Sequence, residues 1–159
     1  MKEASESYGL TFQMDPLQAG PILKKLNVRP GERVLEIGCN RGRLLKKLQK
    51  QNIDAIGIDV NEKAVQKKVV DEVYLMDAEN LEFEDESFDK IYSVHTIEHI
   101  PNLKKAIGEM DRVLKPGGRI VLIYPATSSP APSSTEVLME WGIRSLHALI
   151  LCLQYTLVS

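Results

Sequence analysis

The stretch Val34-Leu35-Glu36-Ile37-Gly38-Cys39-Asn40-Arg41-Gly42 decides the fold of this 159-residue chain. A short apolar run that ends at a glycine is typical of a buried strand, and the amphipathic segment that starts at Gly42 is typical of a helix. The N–H groups at the start of a helix face such a turn and can meet a ligand there. The stretch therefore predicts a strand–turn–helix unit with a ligand loop, although alone it also fits a glycine turn that binds nothing.

The chain repeats this alternation of apolar runs and amphipathic segments as far as residue 125. Strands that are apolar on both faces are typical of a parallel sheet between two layers of helices. We therefore predict an α/β fold with a doubly wound, mostly parallel sheet and helices on both faces. The predicted strands are 33–37, 53–60, 72–76, 88–94 and 119–124, and the predicted helices are 17–26, 44–51, 62–69 (capped by Asn61) and 101–114.

Acidic residues stand at the predicted carboxyl ends of the first three strands, namely Glu36, Asp59 and Asp77. Ligands of parallel sheets bind at this edge, near the point where the strand order reverses. An acid after the second strand can accept hydrogen bonds from two ribose hydroxyls, and an acid after the third from an adenine amino group. These residues together predict a pocket for an adenosine-containing ligand.

Two details of the loop favour a cationic ligand over a pyrophosphate. A dinucleotide loop has the form G-x-G-x-x-G, whereas here Gly42 comes one residue early and Glu36 precedes Gly38. A carboxylate at this place repels a pyrophosphate and attracts an ammonium or sulfonium group. The loop therefore favours S-adenosylmethionine as the cofactor and disfavours a nicotinamide dehydrogenase.

Four segments carry a resemblance to a known family: VLEIGCNRGRLL, GIDVN, MDAENLEFEDESFDKIYSVHTIEHI and LKPGGRIVLIYP. In this order they resemble class I S-adenosylmethionine-dependent methyltransferases, in the small-molecule branch that includes enzymes of ubiquinone and menaquinone biosynthesis. The resemblance covers about residues 17–125. It implies a Rossmann-like fold, S-adenosyl-L-methionine as the cofactor, S-adenosyl-L-homocysteine as the product and a small molecule as the methyl acceptor.

The resemblance also implies roles for individual residues. Asp59 would bind the ribose hydroxyls and Asp77 the adenine amino group, and Asn40 replaces the family's second loop glycine. Because Asn tolerates a positive φ better than most residues, we expect the turn to persist. The cofactor-binding residues implied are Glu36, Gly38, Cys39, Asn40 and Gly42 in the loop, Asp59 with Val60, Asp77 with Ala78, and Val94 at the methionine moiety.

His95 follows the fourth predicted strand and is the candidate catalytic base. A base is needed only if the acceptor atom carries a proton, and a histidine that merely shapes the pocket is an equal alternative. His95-x-x-Glu98-His99 also fits the H-x-x-E-H pattern of some zinc peptidases, but that pattern requires a helix and here follows a strand. We therefore expect no metal, with a divalent ion held by these three residues as a less favoured alternative.

Composition disfavours several classes of partner. Twenty basic and twenty-two acidic residues give a net charge of −2, which disfavours nucleic acid as a partner. Lysines cluster at 46–50 and 63–68, where helical spacing favours a solvated helix surface over a track for phosphates. Two cysteines, Cys39 and Cys152, form no disulfide framework and suit a reducing cytoplasm. The polar N-terminus lacks the apolar region of a signal peptide, and the apolar run 146–158 is shorter than the roughly 20 residues of a membrane span. We expect a cytoplasmic protein without a membrane span.

The segment 126–159 lies beyond the resemblance. Residues 127–135 (TSSPAPSST) have the composition of a linker, and 136–158 are predicted to be helical. We divide the chain into a cofactor-binding domain, 1–125, and a linker with an apolar helical tail, 126–159, in place of the C-terminal part of the family fold. The tail is expected to cover the sheet edge or to form a homodimer, and a truncated or altered C-terminus is the third alternative.

The predicted function is an S-adenosylmethionine-dependent methyltransferase that transfers a methyl group to a small-molecule acceptor by in-line displacement. Positioning of the two reactants supplies most of the catalysis in such a reaction. Asn40 and the short C-terminal segment leave one alternative from another class. It is a catalytically inactive S-adenosylmethionine-binding protein that serves as a regulatory or partner subunit.

Overall fold

The computed structural model describes residues 24, 26–125 and 149–155. Its strands form one sheet in the order β3-β2-β1-β4-β5-β6, in which all neighbouring strands are parallel. The strands are β1 (Arg33–Ile37), β2 (Asp54–Asp59), β3 (Val73–Leu75), β4 (Phe88–Val94), β5 (Leu114–Pro125) and β6 (Leu149–Tyr155). The helices are α1 (Arg43–Gln49), α2 (Glu62–Gln66) and α3 (Leu103–Val113), with a short 3₁₀ helix at Ile97–His99.

The strand order places a reversal between β1 and β4, because β2 and β3 extend to one side and β5 and β6 to the other. The carboxyl ends of β1 and β4 therefore flank the crevice in which doubly wound sheets bind ligands. This arrangement confirms the predicted doubly wound parallel sheet. It also places the 36–42 loop and His95 on either side of the same crevice.

Both faces of the sheet are buried under helices. On one face Leu35 and Ile91 pack with the α3 residues Ile107 and Met110. On the other face Val34 and Tyr92 pack with the apolar residues of α1. Strands covered on both faces explain why their sequences read as near-continuous apolar runs.

Asparagine side chains cap the N-terminal ends of two of the helices. Asn61 Oδ1 accepts a hydrogen bond from Ala64 N at 3.1 Å, and Asn102 Oδ1 accepts one from Lys105 N at 3.1 Å. Each bond provides an acceptor for an N–H group in the first turn of its helix. The predicted cap at Asn61 is confirmed.

Arg112 fastens the segment between β3 and β4 to α3. Its Nη1 and Nη2 atoms donate to the carbonyl oxygens of Phe83 and Leu81, both at 2.8 Å. Its Nε and Nη2 atoms also donate to the Glu109 carboxylate, at 3.0 and 2.8 Å. One guanidinium thus orders the loop that connects the two halves of the sheet.

The C-terminal segment differs from the prediction where the structure describes it. Residues Leu149–Tyr155 form strand β6 and pair in parallel with β5, with Ile120 opposite Ile150. The helical prediction is wrong over these seven residues, because a short apolar run fits a helix and a buried strand equally well. The rest of the predicted linker and tail, and most of the predicted helix 17–26, lie outside the described residues. No helix in the described part of the chain is long and apolar enough to cross a membrane.

Candidate cofactor site

The loop after β1 is fixed to β2 by its own backbone. Gly38 N and Cys39 N both donate to the carbonyl oxygen of Ile58, at 2.9 and 3.0 Å. Gly38, Asn40 and Gly42 have φ values of 76°, 52° and 76°, all in the left-handed region that glycine and asparagine tolerate best. The expectation that Asn40 maintains the turn in place of a glycine is confirmed.

Gly38 also lies against the loop that follows β4. A Cβ atom at Gly38 would lie 2.1 Å from Thr96 Oγ1 and 2.7 Å from Thr96 Cβ, so any side chain at position 38 would force Thr96 to move. The close approach brings the β1 loop and the β4 loop together over the crevice. Gly38 is therefore required both by its φ and by the space it leaves.

Asp59 connects the β1 loop to the start of α2. Its Oδ2 accepts from Asn40 N at 2.7 Å, and its Oδ1 accepts from Asn61 N at 2.8 Å. Burial raises the pKa of Asp59, and hydrogen bonds from the N–H groups of Asn61, Asn40 and Val60 oppose that change. A carboxylate has about four acceptor positions, so Asp59 retains capacity to accept hydrogen bonds from a ligand.

Glu36 is a buried carboxyl group at the carboxyl end of β1, with 4% of its surface exposed. Burial raises its pKa to about 8; the nearby Tyr92 hydroxyl lowers the pKa, and the charge of Asp59 raises it. In the described part of the chain, neither Glu36 Oε2 nor the Tyr92 hydroxyl makes a hydrogen bond of good geometry. A buried carboxyl oxygen without a partner is unfavourable, and an ammonium group of a bound ligand would satisfy it. The residues present therefore fit S-adenosylmethionine.

The next two strand ends carry the residues expected around adenine. Val60 directly follows β2 and is 58% exposed, which is unusual for a valine beside a buried strand. The Met76 N–H donates to the Asp59 carbonyl oxygen at 3.2 Å and so brings the end of β3 beside the end of β2. Asp77 is exposed, and its Oδ1 accepts from Glu79 N at 2.8 Å, whereas Ala78 is buried.

Cys39 is placed differently from the other loop residues. Its side chain is buried over β2, where a Cβ atom at Gly57 would lie 2.6 Å from Cys39 Sγ. Burial raises the pKa of its thiol, so the sulfur is a neutral packing group. Any contact of Cys39 with a ligand would therefore come from its backbone.

His95 begins the loop after β4, directly beyond Val94. Its φ is 51°, its N–H donates to Ile123 O at 2.8 Å, and its side chain is 7% exposed. Burial lowers its pKa, and the Glu98 carboxylate, 3.9 Å from His95 Nδ1, opposes that change. The imidazole is therefore neutral at pH 7 and able to accept a proton.

The H-x-x-E-H pattern does not form the helix that a zinc peptidase requires. Only Ile97–His99 are helical, as a single 3₁₀ turn, and His95 stands before that turn in the left-handed region. Within the residues that the structure describes, no group of three His, Cys, Asp or Glu side chains could hold a metal ion.

Two residues at the site were not predicted from the sequence, Tyr92 and Thr96. Tyr92 is the register partner of Glu36 across the β1–β4 pair, and Thr96 lies against Gly38. A tyrosine within a run that is otherwise typical of a buried strand is the one sequence signal that could have found the first. The second depends on the distance between two loops, which no local pattern reports.

Comparison with known proteins gives the family. Residues 35–122 match the family model described as "Methyltransferase domain". The ubiquinone/menaquinone biosynthesis C-methyltransferase UbiE of Cupriavidus metallidurans is 33% identical over 112 residues, which cover 64% of this chain and 46% of that protein.

Two solved structures share the fold. A putative methyltransferase from an antibiotic biosynthesis pathway of Anabaena variabilis has a TM-score of 0.65 and 27% identity, over 83% of this chain and 56% of that one. The phosphoethanolamine N-methyltransferase 2 of Haemonchus contortus, in complex with phosphomonomethylethanolamine and S-adenosylhomocysteine, has a TM-score of 0.65 and 25% identity, over 80% of this chain and 33% of that one.

The chain spans between 33% and 56% of the length of these three proteins. The family match nevertheless extends over more than half of the chain, from β1 to β5. The sheet order and the loop after β1 agree with it. The chain therefore belongs to the class I S-adenosylmethionine-dependent methyltransferase family, in the branch that resembles the ubiquinone and menaquinone biosynthesis enzymes.

Proposed function

We propose that this chain forms the cofactor-binding core of an S-adenosylmethionine-dependent methyltransferase that acts on a small molecule. The observation that carries the proposal is the buried Glu36, whose Oε2 has no hydrogen-bond partner among the described residues, at the reversal of the strand order. Asp59 and Asp77 at the next two strand ends support it. The small-molecule acceptor is supported by the names of the relatives, which include UbiE and a phosphoethanolamine N-methyltransferase.

Each residue at the site has a proposed task. When bound, the cofactor would supply a methyl group on a sulfonium and leave as S-adenosylhomocysteine. Glu36 would accept a hydrogen bond from the ammonium group, Asp59 would accept from the ribose hydroxyls and Asp77 from the adenine amino group. Val60 and Ala78 would pack on the ring, and the methionine part would lie against Val94 and the loop residues Gly38, Cys39, Asn40 and Gly42.

We assign the role of general base to His95. A sulfonium is a good leaving group, so in-line transfer depends mainly on how the chain positions the two reactants. A base is needed when the acceptor atom carries a proton. Because burial lowers the pKa of His95 below 6.5, its neutral form is available near pH 7.

Calorimetry with S-adenosylmethionine, S-adenosylhomocysteine and NAD tests the cofactor assignment. We expect micromolar binding of the first two and none of NAD; binding of NAD alone would refute the proposal. A panel of small acceptors, with release of S-adenosylhomocysteine as the readout, then separates an enzyme from an inactive binding subunit. Tight cofactor binding without turnover across that panel would favour the inactive subunit.

His95→Asn tests the base, since asparagine tolerates the φ of 51° at this position. We expect cofactor binding to remain and turnover to fall by a factor of about 10²–10⁴. His99→Asn is the matched control, because His99 is an exposed histidine four residues away. Equal turnover in the two variants would remove His95 from the chemistry.

A further inference from the structure

Tyr92 is the polar neighbour of Glu36 within the sheet. Across parallel strands, Glu36 stands opposite Gly57 on β2 and opposite Tyr92 on β4. Side chains at paired positions lie on the same face of a sheet. Gly57 has no side chain, and Cys39 occupies the space above it. The Glu36 carboxyl group therefore lies between a thiol on one side and a tyrosine on the other.

The hydroxyl of Tyr92 is a buried polar group to which the fold gives no other role. Tyr92 is 0% exposed, and in the part of the chain that the structure describes its hydroxyl makes no hydrogen bond of good geometry. A buried hydroxyl usually has a hydrogen-bond partner. The nearby acceptor is Glu36, whose pKa the hydroxyl lowers.

Burial and the charge of Asp59 favour the protonated form of Glu36. Asp59 lies at the end of β2, whereas Cys39, in the β1 loop, brings no charge because its thiol is neutral. Together with burial, the charge of Asp59 outweighs the effect of Tyr92 and raises the pKa of Glu36 to about 8. At neutral pH the carboxyl group therefore retains its proton until a cation arrives.

We propose that capture of the cofactor's ammonium group releases a proton from Glu36, and that the Tyr92 hydroxyl is the positioning donor that makes this release possible. This inference rests on the proposed function. In the step, the O–H bond of the Glu36 carboxyl group breaks and its proton passes to the solvent. One carboxylate oxygen then accepts from the ammonium group and the other accepts from Tyr92.

Linkage between proton and cofactor makes the proposal measurable. At pH values below the pKa of Glu36, the affinity for the cofactor should increase about tenfold for each unit by which the pH is raised, because only the ionised carboxyl group binds the ammonium group well. Without the Tyr92 donor, ionisation of Glu36 is less favourable, so the increase in affinity occurs at higher pH. The ammonium group of the ligand titrates in the same way for every variant, so differences between variants report Glu36.

The experiment is calorimetry with S-adenosylhomocysteine in pairs of buffers that differ in ionisation enthalpy, on the full chain and on Tyr92→Phe. At pH 8 we expect the variant to release a larger fraction of a proton on binding than the unaltered protein does. At pH 7 the variant should bind about tenfold more weakly. Tyr74→Phe, on the exposed edge strand β3, is the matched control and should change neither value.

Glu36→Gln identifies the source of the proton. It should abolish the part of the proton release that differs between the unaltered protein and Tyr92→Phe. Tyr92→Phe should unfold at the same temperature as the unaltered protein or higher, because it removes a buried hydroxyl without a well-formed hydrogen bond. Equal proton release and equal affinity in Tyr92→Phe and the unaltered protein would overturn the role of Tyr92. Absence of S-adenosylhomocysteine binding at every pH would instead overturn the proposed function itself.

Discussion

The carboxylate of Asp59 is well suited to a quantitative test, because it has a structural role and a proposed binding role. It accepts two backbone N–H groups, from Asn40 at 2.7 Å and from Asn61 at 2.8 Å. In Asp59→Asn one acceptor oxygen becomes an NH₂ group. That NH₂ group would face a backbone N–H, so either the β1 loop or the start of α2 would lose its hydrogen bond to residue 59.

The size of the effect follows from the hydrogen bonds and the burial. A hydrogen bond to a charged group contributes about 1.5–3 kcal/mol. Burial raises the pKa of Asp59, so removing the charge recovers part of the loss. We therefore expect the lower end of the range, a loss of about 1.5 kcal/mol in the free energy of unfolding. If Asp59 also binds the ribose hydroxyls, the affinity for S-adenosylhomocysteine should fall at least tenfold, or about 1.4 kcal/mol.

Urea unfolding and calorimetry measure the two effects on the same samples. The midpoint should fall by about 0.5–1.5 M urea, given the usual denaturant dependence of small domains. Asp54→Asn is the matched control, because Asp54 is an exposed partner of Arg33 at 3.2 Å and should change stability by less than about 1 kcal/mol. An unchanged midpoint in Asp59→Asn would refute the structural role, and an unchanged dissociation constant would remove Asp59 from the site.

Three further perturbations follow from the described contacts. Gly38→Ala should lower the free energy of unfolding, measured in urea, by at least about 2 kcal/mol. Adding Thr96→Gly to this variant should recover the part of the loss that the steric clash causes, and no recovery would mean that the φ of 76° dominates. Arg112→Lys should cost about 1–2 kcal/mol between pH 5 and 7. Because the hydrogen bond from Arg112 lowers the pKa of Glu109 below 4.5, this cost should shrink as the pH falls through that lowered pKa; a constant cost would exclude the pair as its source. If turnover needs His95 as the base, activity should fall as the pH drops through a pKa below 6.5. An activity loss whose midpoint lies above pH 6.5 would contradict the assignment.

Much of the fold could be predicted because its signals are local. The β4 prediction matches the structure at both ends, and the Asn61 cap lies where the sequence placed it. A strand covered on both faces and a capping side chain each depend on a few consecutive residues. The acids at three strand ends could be found for the same reason, once the sheet was known to be parallel.

The remaining features depend on contacts between distant residues. The run Leu149–Tyr155 contains no β-branched residue except Ile150, so only its pairing with β5 makes it a strand. Strand β5 begins at Leu114, five residues before the predicted start, because Leu114 pairs with Phe88. Tyr92 beside Glu36 likewise required the register of β1 against β4.

The attachment of the β1 loop to Ile58 determines when the entropy of that loop is lost. Two consecutive N–H groups share one carbonyl oxygen of β2, and the next N–H is held by Asp59. Ordering of these residues is therefore part of folding, and a ligand meets a preorganised surface. In hydrogen exchange, the amides of Gly38, Cys39 and Asn40 should be as slow as those of the central strands before any ligand is added.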